Sequence, residues 1–252
     1  MRISIITACF NSGATIADTL KSVSAQGYGG LEYIIADGGS TDNTLALVKE
    51  HGHRVSQVIS GPDGGIYDAL NKGIKAATGD IVGILHSDDI YADASVLQKV
   101  AEFMAARGVD SCYGDLVYVD RGDISKTVRC WRSGEYNREN FRRGWMPPHP
   151  AFFLKRAVYG KYGLYDLAFP LASDYELMLR MLYRHGVTTA YLPEVLVKMR
   201  CGGASRAGLI NTGRMLIENY RAWQGNGLPV NPLTFLLKPL SKLRQFYPGG
   251  QV

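Results

Sequence analysis

The sequence predicts an α/β fold with a mostly parallel central sheet, helices on both faces and a helical extension at the C-terminal end. Strand-like and helix-like patterns alternate through roughly the first 85 residues, an order typical of parallel strands joined by right-handed crossovers. The strand segments are almost entirely apolar, which indicates burial on both faces of the sheet. The 252 residues suffice for one large domain.

Each element of the first half follows from its hydrophobic spacing. Ile16, Leu20 and Val23, for example, recur at helical intervals. The predicted elements are strands at 3–8, 33–36, 55–59 and 81–85, and helices at 15–25, 41–50 and 67–77.

The second half is less regular. Apolar spacing predicts a helix at 174–185, and a Gly/Pro-rich loop is expected at 142–150. The predicted strands lie at 112–120, 127–131, 151–154, 188–192 and 195–200. Because no repeat or low-complexity linker divides the chain, one domain with a C-terminal extension is the simplest organisation.

Composition excludes several classes of function. Hydrophobic residues make up 46% and charged residues 20% of the chain, as in ordinary globular proteins. No apolar run approaches the roughly 18 residues of a membrane span. The net charge of +5 is too mild, and too loosely distributed, to predict nucleic-acid binding. The four cysteines form no CxxC pair, which favours a reducing, cytoplasmic location over a zinc site or disulfides.

Carboxylates follow three of the first four strands. Asp37 follows the second strand, Asp63 the third, and Asp88 and Asp89 the fourth. Ligands of parallel sheets bind beyond these carboxyl ends. Because crowded carboxylates repel one another, they need a cation or ligand donors beside them.

Simpler interpretations stay open for each of these residues. Asp37 could simply stabilise the turn that contains it, and Asp88 and Asp89 could simply form a loop and a helix cap. Asp68 and Lys72 lie on a helix that begins at the same edge, where a lysine could meet a diphosphate or simply face solvent. A dinucleotide site finds little support, because the Gly-x-Gly at 27–29 precedes a strand instead of following one. Neither a Walker loop nor a nucleophile elbow is present.

Eight short motifs in a fixed order carry a resemblance to a known family. They are SIITACFN at 4–11, IADGGSTDNT at 35–44, GIYDALNKG at 65–73, ATGD at 77–80, SDD at 87–89, PHPAFF at 148–153, SDYEL at 173–177 and GGAS at 202–205. The chain resembles the non-processive, bacterial family 2 glycosyltransferases of the GT-A fold. The resemblance covers residues 1 to about 205.

The resemblance implies roles on the donor side. Asp37 matches the acidic residue that contacts the nucleotide base, usually uracil, and Thr7 lies where the family lines the base pocket. Asp89 is expected on a divalent cation, Mn²⁺ or Mg²⁺, at the diphosphate, with Asp88 nearer the ribose. Ser87 replaces the first acid of a strict Asp-x-Asp motif.

It also implies roles on the acceptor side. Asp174 matches the catalytic base of a one-step, inverting transfer, although a helix N-cap is the simpler alternative. His149, between two prolines, is a candidate for the acceptor side or the metal. Arg200 and Ser205 are candidates for a mobile loop over the donor.

The resemblance suggests a division of the chain. A catalytic domain is expected at 1–205, with a nucleotide-binding half to about 110 and an acceptor-binding half at 111–205, followed by the extension at 206–252. Apolar and basic residues alternate in 228–252, so this segment either contacts an anionic membrane surface or packs on the domain. Membrane contact would suit a polyprenyl-diphosphate-linked saccharide acceptor at the inner face of the cytoplasmic membrane.

The predicted function is therefore inverting transfer of a hexose or N-acetylhexosamine, from a UDP-sugar, in cell-surface polysaccharide synthesis. A catalytically inactive nucleotide-sugar-binding protein and a nucleotidyltransferase are the alternatives. The sequence leaves the sugar, the linkage and the oligomeric state undetermined.

Overall fold

A computed structural model describes residues 1–202 and 208–229. Within them, nine strands form one sheet. The strands are β1 Ile3–Cys9, β2 Leu31–Asp37, β3 Val55–Ser60, β4 Ile81–Ile84, β5 Ile90–Tyr91, β6 Ser111–Val119, β7 Thr127–Trp131, β8 Phe152–Lys155 and β9 Thr189–Arg200. The helices are α1 Ile16–Ser24, α2 Thr44–His51, α3 Ile66–Ala76, α4 Val96–Arg107, α5 Arg156–Tyr162, α6 Ser173–Met178 and α7 Gly208–Gly225.

The strand order is β3-β2-β1-β4-β8-β6-β9-β5, with β7 paired to β6. The first four strands in this order are parallel, which confirms the prediction for the first half of the chain. The second half is mixed, because β8 runs antiparallel to β4 and β6, whereas β6 and β9 are parallel.

Two hydrophobic cores cover the two faces of the sheet, as the apolar strands predicted. Ile6 and Ala36 face one core with residues of α3, α6 and α7. Ile5 and Ile35 face the other core with residues of α1 and α4. The α/β fold class predicted from the sequence is therefore confirmed.

The structure corrects several details of the second half. Helices α4 and α5 occupy segments to which the sequence patterns assigned no element. One strand, β9, replaces the two predicted at 188–192 and 195–200, and its pairing with β6 shifts register around Asp115. The helix predicted at 174–185 is α6 followed by a π-helical segment, Leu179–Arg184.

Helix α7 packs against the body of the protein, with Ala222 and Trp223 inside the first core. None of the helices in the described part of the chain has the length and apolarity needed to cross a bilayer. Ser205 and all of the proposed membrane segment except residues 228–229 lie outside the described residues.

Candidate active site

The parallel strands β1 to β4 end at a common edge of the sheet, and the predicted site lies beyond it. Asp37 ends β2, while the loop 86–89 follows β4. Strands β1, β2 and β4 are buried almost throughout, and polar side chains gather at and beyond their carboxyl ends.

Asp37 is buried and engaged by its own turn. Its carboxylate accepts hydrogen bonds from the backbone N–H groups of Gly39 and Ser40, both at 3.1 Å, and from the Ser60 hydroxyl at 2.7 Å. The Ser40 hydroxyl donates as well. Burial alone would raise the pKa of Asp37, but the hydrogen bonds from Ser40 and Ser60 lower it below its ordinary value. The turn role therefore accounts for the contacts of this carboxylate, and contact with a base stays a prediction.

A cavity of about 220 Å³ opens beside this turn, lined by Asp37, Ser60, Asp63 and Lys72 among others. The Asp63 carboxylate lies directly over Gly38, where an added Cβ would come within 2.7 Å of its Oδ2. A Cβ at position 38 would therefore displace the Asp63 carboxylate.

Lys72 and Asp68, predicted for the donor, form a pair on α3. Lys72 Nζ lies 3.2 Å from Asp68 Oδ2 and donates to the Pro62 carbonyl at 3.0 Å. The Asp68 carboxylate also accepts the Gly64 N–H at 3.0 Å. Of the two, Lys72 lines the cavity, so a cation faces the same space as Asp37 and Asp63.

The loop carrying Asp88 and Asp89 is fixed by its neighbours. The Asp89 carbonyl accepts the Thr19 hydroxyl at 2.8 Å, and its N–H donates to the His86 carbonyl at 3.0 Å. The hydroxyls of Ser12 and Ser87 lie 2.9 Å apart. Helix α1 and the loop after β1 thus hold the aspartates at the end of β4.

The Asp89 carboxylate is buried, with 1% of the residue exposed. Neither of its oxygens makes a close hydrogen bond within the described residues. Burial, and then the nearby Asp88, raise the pKa of Asp89 well above its ordinary value, while the nearby backbone N–H and the charge of Arg200 oppose this. An ionised carboxylate in such a place needs a compensating cation.

This arrangement fits a divalent cation that is shared with a ligand. Among residues 1–202 and 208–229, no cluster of three or more His, Cys, Asp and Glu side chains could form a complete metal cage. Mg²⁺ commonly binds through one or two protein carboxylates together with substrate phosphates and water. One orphaned buried carboxylate with a second aspartate beside it matches that donor set.

Asp174, the predicted base, lies at the start of α6 and is half-buried. Its Oδ1 accepts the Tyr175 N–H at 2.8 Å and the Tyr67 hydroxyl at 3.3 Å. Burial, followed by the charge of Asp174, raises the pKa of Tyr67 well above its ordinary value. Tyr67 therefore keeps its proton and acts as a donor to Asp174.

His86 and His149 connect the loop 86–89, which carries Asp88 and Asp89 and is called the aspartate loop below, with α6. Their rings are 5.5 Å apart, and His149 Nε2 shares a hydrogen bond of 2.6 Å with the Tyr165 hydroxyl. Burial, and then His149, lower the pKa of His86 to about 4, against the opposing charges of Asp88 and Asp174. The His149 ring also contacts the Tyr165 ring, which stacks on Tyr67, the hydrogen-bond donor to Asp174. Ring contacts therefore connect this loop with the predicted base.

The segment around Tyr165 is fixed from α3. Asn71 Nδ2 donates to the Tyr165 carbonyl at 2.9 Å, and Asn71 Oδ1 accepts the Tyr165 N–H at 3.0 Å. The Tyr165 ring stacks on Tyr67 with 5.4 Å between centroids. His149 and Asp174 are thus linked by a chain of buried aromatic residues.

Two predicted residues are placed differently from expectation. Arg200 ends β9, and its guanidinium donates to the Asp88 carbonyl at 3.1 Å, the Arg121 carbonyl at 2.9 Å and the Asp18 carboxylate. Arg200 is therefore a buried side chain at the end of β9 that bonds the aspartate loop to neighbouring segments, and it does not lie in a loop in this structure. The Thr7 side chain is fully buried and bonded to the Tyr33 hydroxyl at 3.1 Å, so only its backbone could face a ligand in this conformation.

Sequence reasoning missed Tyr67, Tyr165 and His86 as parts of the site. Tyr67 and His86 lie inside or beside recognised motifs, so their position offered a signal. Tyr165 lies outside every recognised motif and was not identifiable from the sequence pattern.

Known proteins share both sequence and fold with this chain. It is 37% identical over 186 residues to an uncharacterized glycosyltransferase of Mycobacterium tuberculosis, covering 71% of this chain and 68% of that protein. It is 30% identical over 212 residues to a PGL/p-HBAD biosynthesis glycosyltransferase of Mycobacterium bovis, covering 83% and 79%.

Solved structures show the same GT-A fold at low sequence identity. Staphylococcus aureus TarS 1-349 in complex with UDP-GlcNAc has a TM-score of 0.70 at 18% identity, covering 94% of this chain and 70% of that one. The mannosyltransferase PcManGT from Pyrobaculum calidifontis, in complex with GDP-Man and Mn²⁺, has a TM-score of 0.67 at 18% identity, covering 96% and 69%. The chain spans only 65% of TarS 1-349 in its UDP complex and 44% of a longer TarS structure.

A family model described as glycosyl transferase family 2 matches residues 4–162. This range includes β1 to β4, the aspartate loop and His149. The chain belongs to glycosyl transferase family 2 and is a glycosyltransferase enzyme.

Proposed function

We propose that this enzyme transfers a sugar from a UDP-sugar to an acceptor hydroxyl with inversion at the anomeric carbon, assisted by a divalent cation. The observation that carries the proposal is the buried carboxylate of Asp89, which makes no close hydrogen bond within the described residues. Its loop is linked to Asp174 through the ring contacts of His86, His149, Tyr165 and Tyr67. Asp89 would hold the cation, and Asp174 would accept the proton of the acceptor.

On the donor side, the nucleoside would lie beyond the ends of β2 and β3. The cavity lined by Asp37, Asp63 and Lys72 supports this place for the base. Asp88 would contact the ribose and Asp89 the cation at the diphosphate. When bound, Mn²⁺ or Mg²⁺ would neutralise the charge that develops on the leaving nucleoside diphosphate.

On the acceptor side, Asp174 would act as general base. The acceptor oxygen forms a bond to the anomeric carbon, the bond from that carbon to the diphosphate oxygen breaks, and its electron pair leaves with the nucleotide. The acceptor proton passes to the Asp174 carboxylate. Tyr67 and the Tyr175 N–H orient that carboxylate through Oδ1, and such a base typically contributes about 10²- to 10⁴-fold.

For the acceptor we propose a lipid-linked saccharide, with residues 228–252 contacting the membrane surface. The glycolipid-related name of the M. bovis relative is consistent with this class of acceptor. Flotation with anionic liposomes, with and without residues 228–252, tests the contact, and equal recovery of both forms in the soluble fraction would refute it.

A catalytically inactive nucleotide-sugar-binding protein and a nucleotidyltransferase are less well supported. Inactivity is disfavoured because Asp89 and Asp174 are both present. A nucleotidyltransferase usually needs a basic, glycine-rich loop after the first strand, whereas here the nearest lysine is Lys21.

A thermal-shift screen with UDP, GDP, dTDP and CDP, each with and without Mn²⁺, tests the donor side. We expect metal-dependent stabilisation by UDP, about 2.7 kcal/mol at 100 times the Kd, and its loss in Asp89→Ala. Lys99→Ala, which alters a surface ion pair away from this edge, is the matched control. No stabilisation of folded protein by any nucleotide would refute donor binding.

Product analysis tests the chemistry. With the donor identified, NMR of the product should show the opposite anomeric configuration, and Asp174→Asn should lower kcat by at least about 10²-fold. Retention of configuration, or full activity in Asp174→Asn, would refute the mechanism while leaving donor binding intact.

A further inference from the structure

Helix α6 carries Asp174 and continues as the π-helical segment Leu179–Arg184. Its N-cap residue, Ala172, makes no side-chain capping bond. The first N–H groups of a helix have no partner within the helix, so this end depends on contacts from elsewhere in the protein. The position of Asp174 must therefore be set by whatever contacts this end of α6.

Glu218 on α7 supplies that contact. Its Oε2 accepts the backbone N–H groups of Leu171 and Ala172, both at 2.9 Å. Glu218 is only 7% exposed, so these two hydrogen bonds are shielded from solvent.

Two further side chains of α7 and the turn after it reach the residues next to Asp174. Trp223 Nε1 donates to the Tyr175 hydroxyl at 2.8 Å, and Asn226 Nδ2 donates to Glu176 Oε1 at 3.1 Å. The segment 218–226 therefore holds residues on both sides of Asp174.

We propose that Glu218 is a positioning residue that holds the start of α6 so that Asp174 faces the donor. Helix α7, which the sequence motifs leave outside the catalytic domain, is then part of the catalytic unit. The inference rests on the proposed role of Asp174 as base. It concerns the two hydrogen bonds of Glu218 and not its charge, since a glutamine oxygen could accept the same two N–H groups.

The test compares Glu218→Ala and Glu218→Gln with wild type. Release of the nucleoside diphosphate, with water as the acceptor of the sugar, is measured for UDP-GlcNAc, UDP-glucose, UDP-galactose and GDP-mannose. In Glu218→Ala we expect kcat to fall at least 10-fold while KM for the donor stays within about twofold. Glu218→Gln should restore kcat to within about threefold of wild type.

A matched control separates positioning from general loss of stability. Val100→Ala truncates a fully buried side chain of α4 in the other core and should lower the melting temperature without lowering kcat of the folded enzyme. A fall in kcat for Val100→Ala equal to that of Glu218→Ala would overturn the inference.

Hydrogen exchange tests the same contact without turnover. The amides of Leu171 and Ala172 and those of α6 should exchange faster in Glu218→Ala, with wild-type protection in Glu218→Gln and unchanged protection in α4. Unchanged exchange in Glu218→Ala, or a Glu218→Gln variant as impaired as Glu218→Ala, would overturn the inference. Full activity in Asp174→Asn would instead refute the proposed base, so the two failures are distinguishable.

Discussion

Replacing Asn71 with alanine should destabilise the protein strongly. The buried amide makes two hydrogen bonds, at 2.9 and 3.0 Å, to the carbonyl and N–H of Tyr165. Alanine leaves both backbone groups buried without a partner, at about 1–3 kcal/mol each. We therefore expect a loss of about 2–5 kcal/mol, a large part of the 5–15 kcal/mol typical of a domain.

Urea unfolding of three variants measures this effect. Asn71→Asp keeps an acceptor for the Tyr165 N–H but buries a charge and sets a carboxylate oxygen against the Tyr165 carbonyl, so its loss should be at least as large as that of Asn71→Ala. The exposed Asn43, whose side chain makes no capping bond, is the control, and Asn43→Ala should stay within about 0.5 kcal/mol. An Asn71→Ala variant within 0.5 kcal/mol of wild type, at unchanged m-value, would refute the reasoning.

Three further perturbations follow from the structure. Burial lowers the pKa of His149 from 6.5 to about 4, so the unfolded chain binds a proton that the folded protein excludes. The free energy of unfolding of the wild type should therefore fall by up to about 3 kcal/mol as pH falls from 6.5 towards 4. Urea midpoints at pH 7 and 4.5 should show a smaller loss in His149→Gln, and an equal loss would argue against burial of His149 as the cause. Gly73→Ala would bring a Cβ into steric overlap with Ile6 Cγ2. The cost of this overpacking, about 1–3 kcal/mol, should exceed the gain in helix propensity, so the melting temperature should fall, and a higher melting temperature would contradict this packing. Arg200→Lys loses the fork that bonds two carbonyls and a carboxylate, so the urea midpoint should fall by the equivalent of about 1–3 kcal/mol, whereas an unchanged midpoint would mean that these hydrogen bonds are dispensable.

The parallel half of the fold was predictable because each strand and helix has its own periodic signal. Strand ends then located Asp89 and Asp37 at one edge without any structure. Helix α4 was also within reach, since Val96, Val100 and Met104 recur at helical spacing and are buried, but no prediction was made for that segment.

The remaining parts of the site depend on contacts between residues far apart in the chain. Tyr67 and Asp174 are 107 residues apart, and Glu218 lies 46 residues from Ala172. Local pattern carries no information about such pairs. The sequence placed Arg200 at the end of a predicted strand, 195–200, but its hydrogen bonds to the Asp88 and Arg121 carbonyls join segments far apart in the chain and were not predictable.

The parallel order β3-β2-β1-β4 sets a length scale for the ligand. Adjacent strands are about 4.8 Å apart, so the ends of β3 and β4 are separated by three spacings, or roughly 14 Å. A molecule that touches both the Asp63 side and the Asp89 side must bridge this distance as one covalent unit. Fragments that reach only one side would bind more weakly, because they lack the effective concentration that the covalent linkage provides. The distance between the strand ends therefore favours binding of a whole donor over binding of its parts.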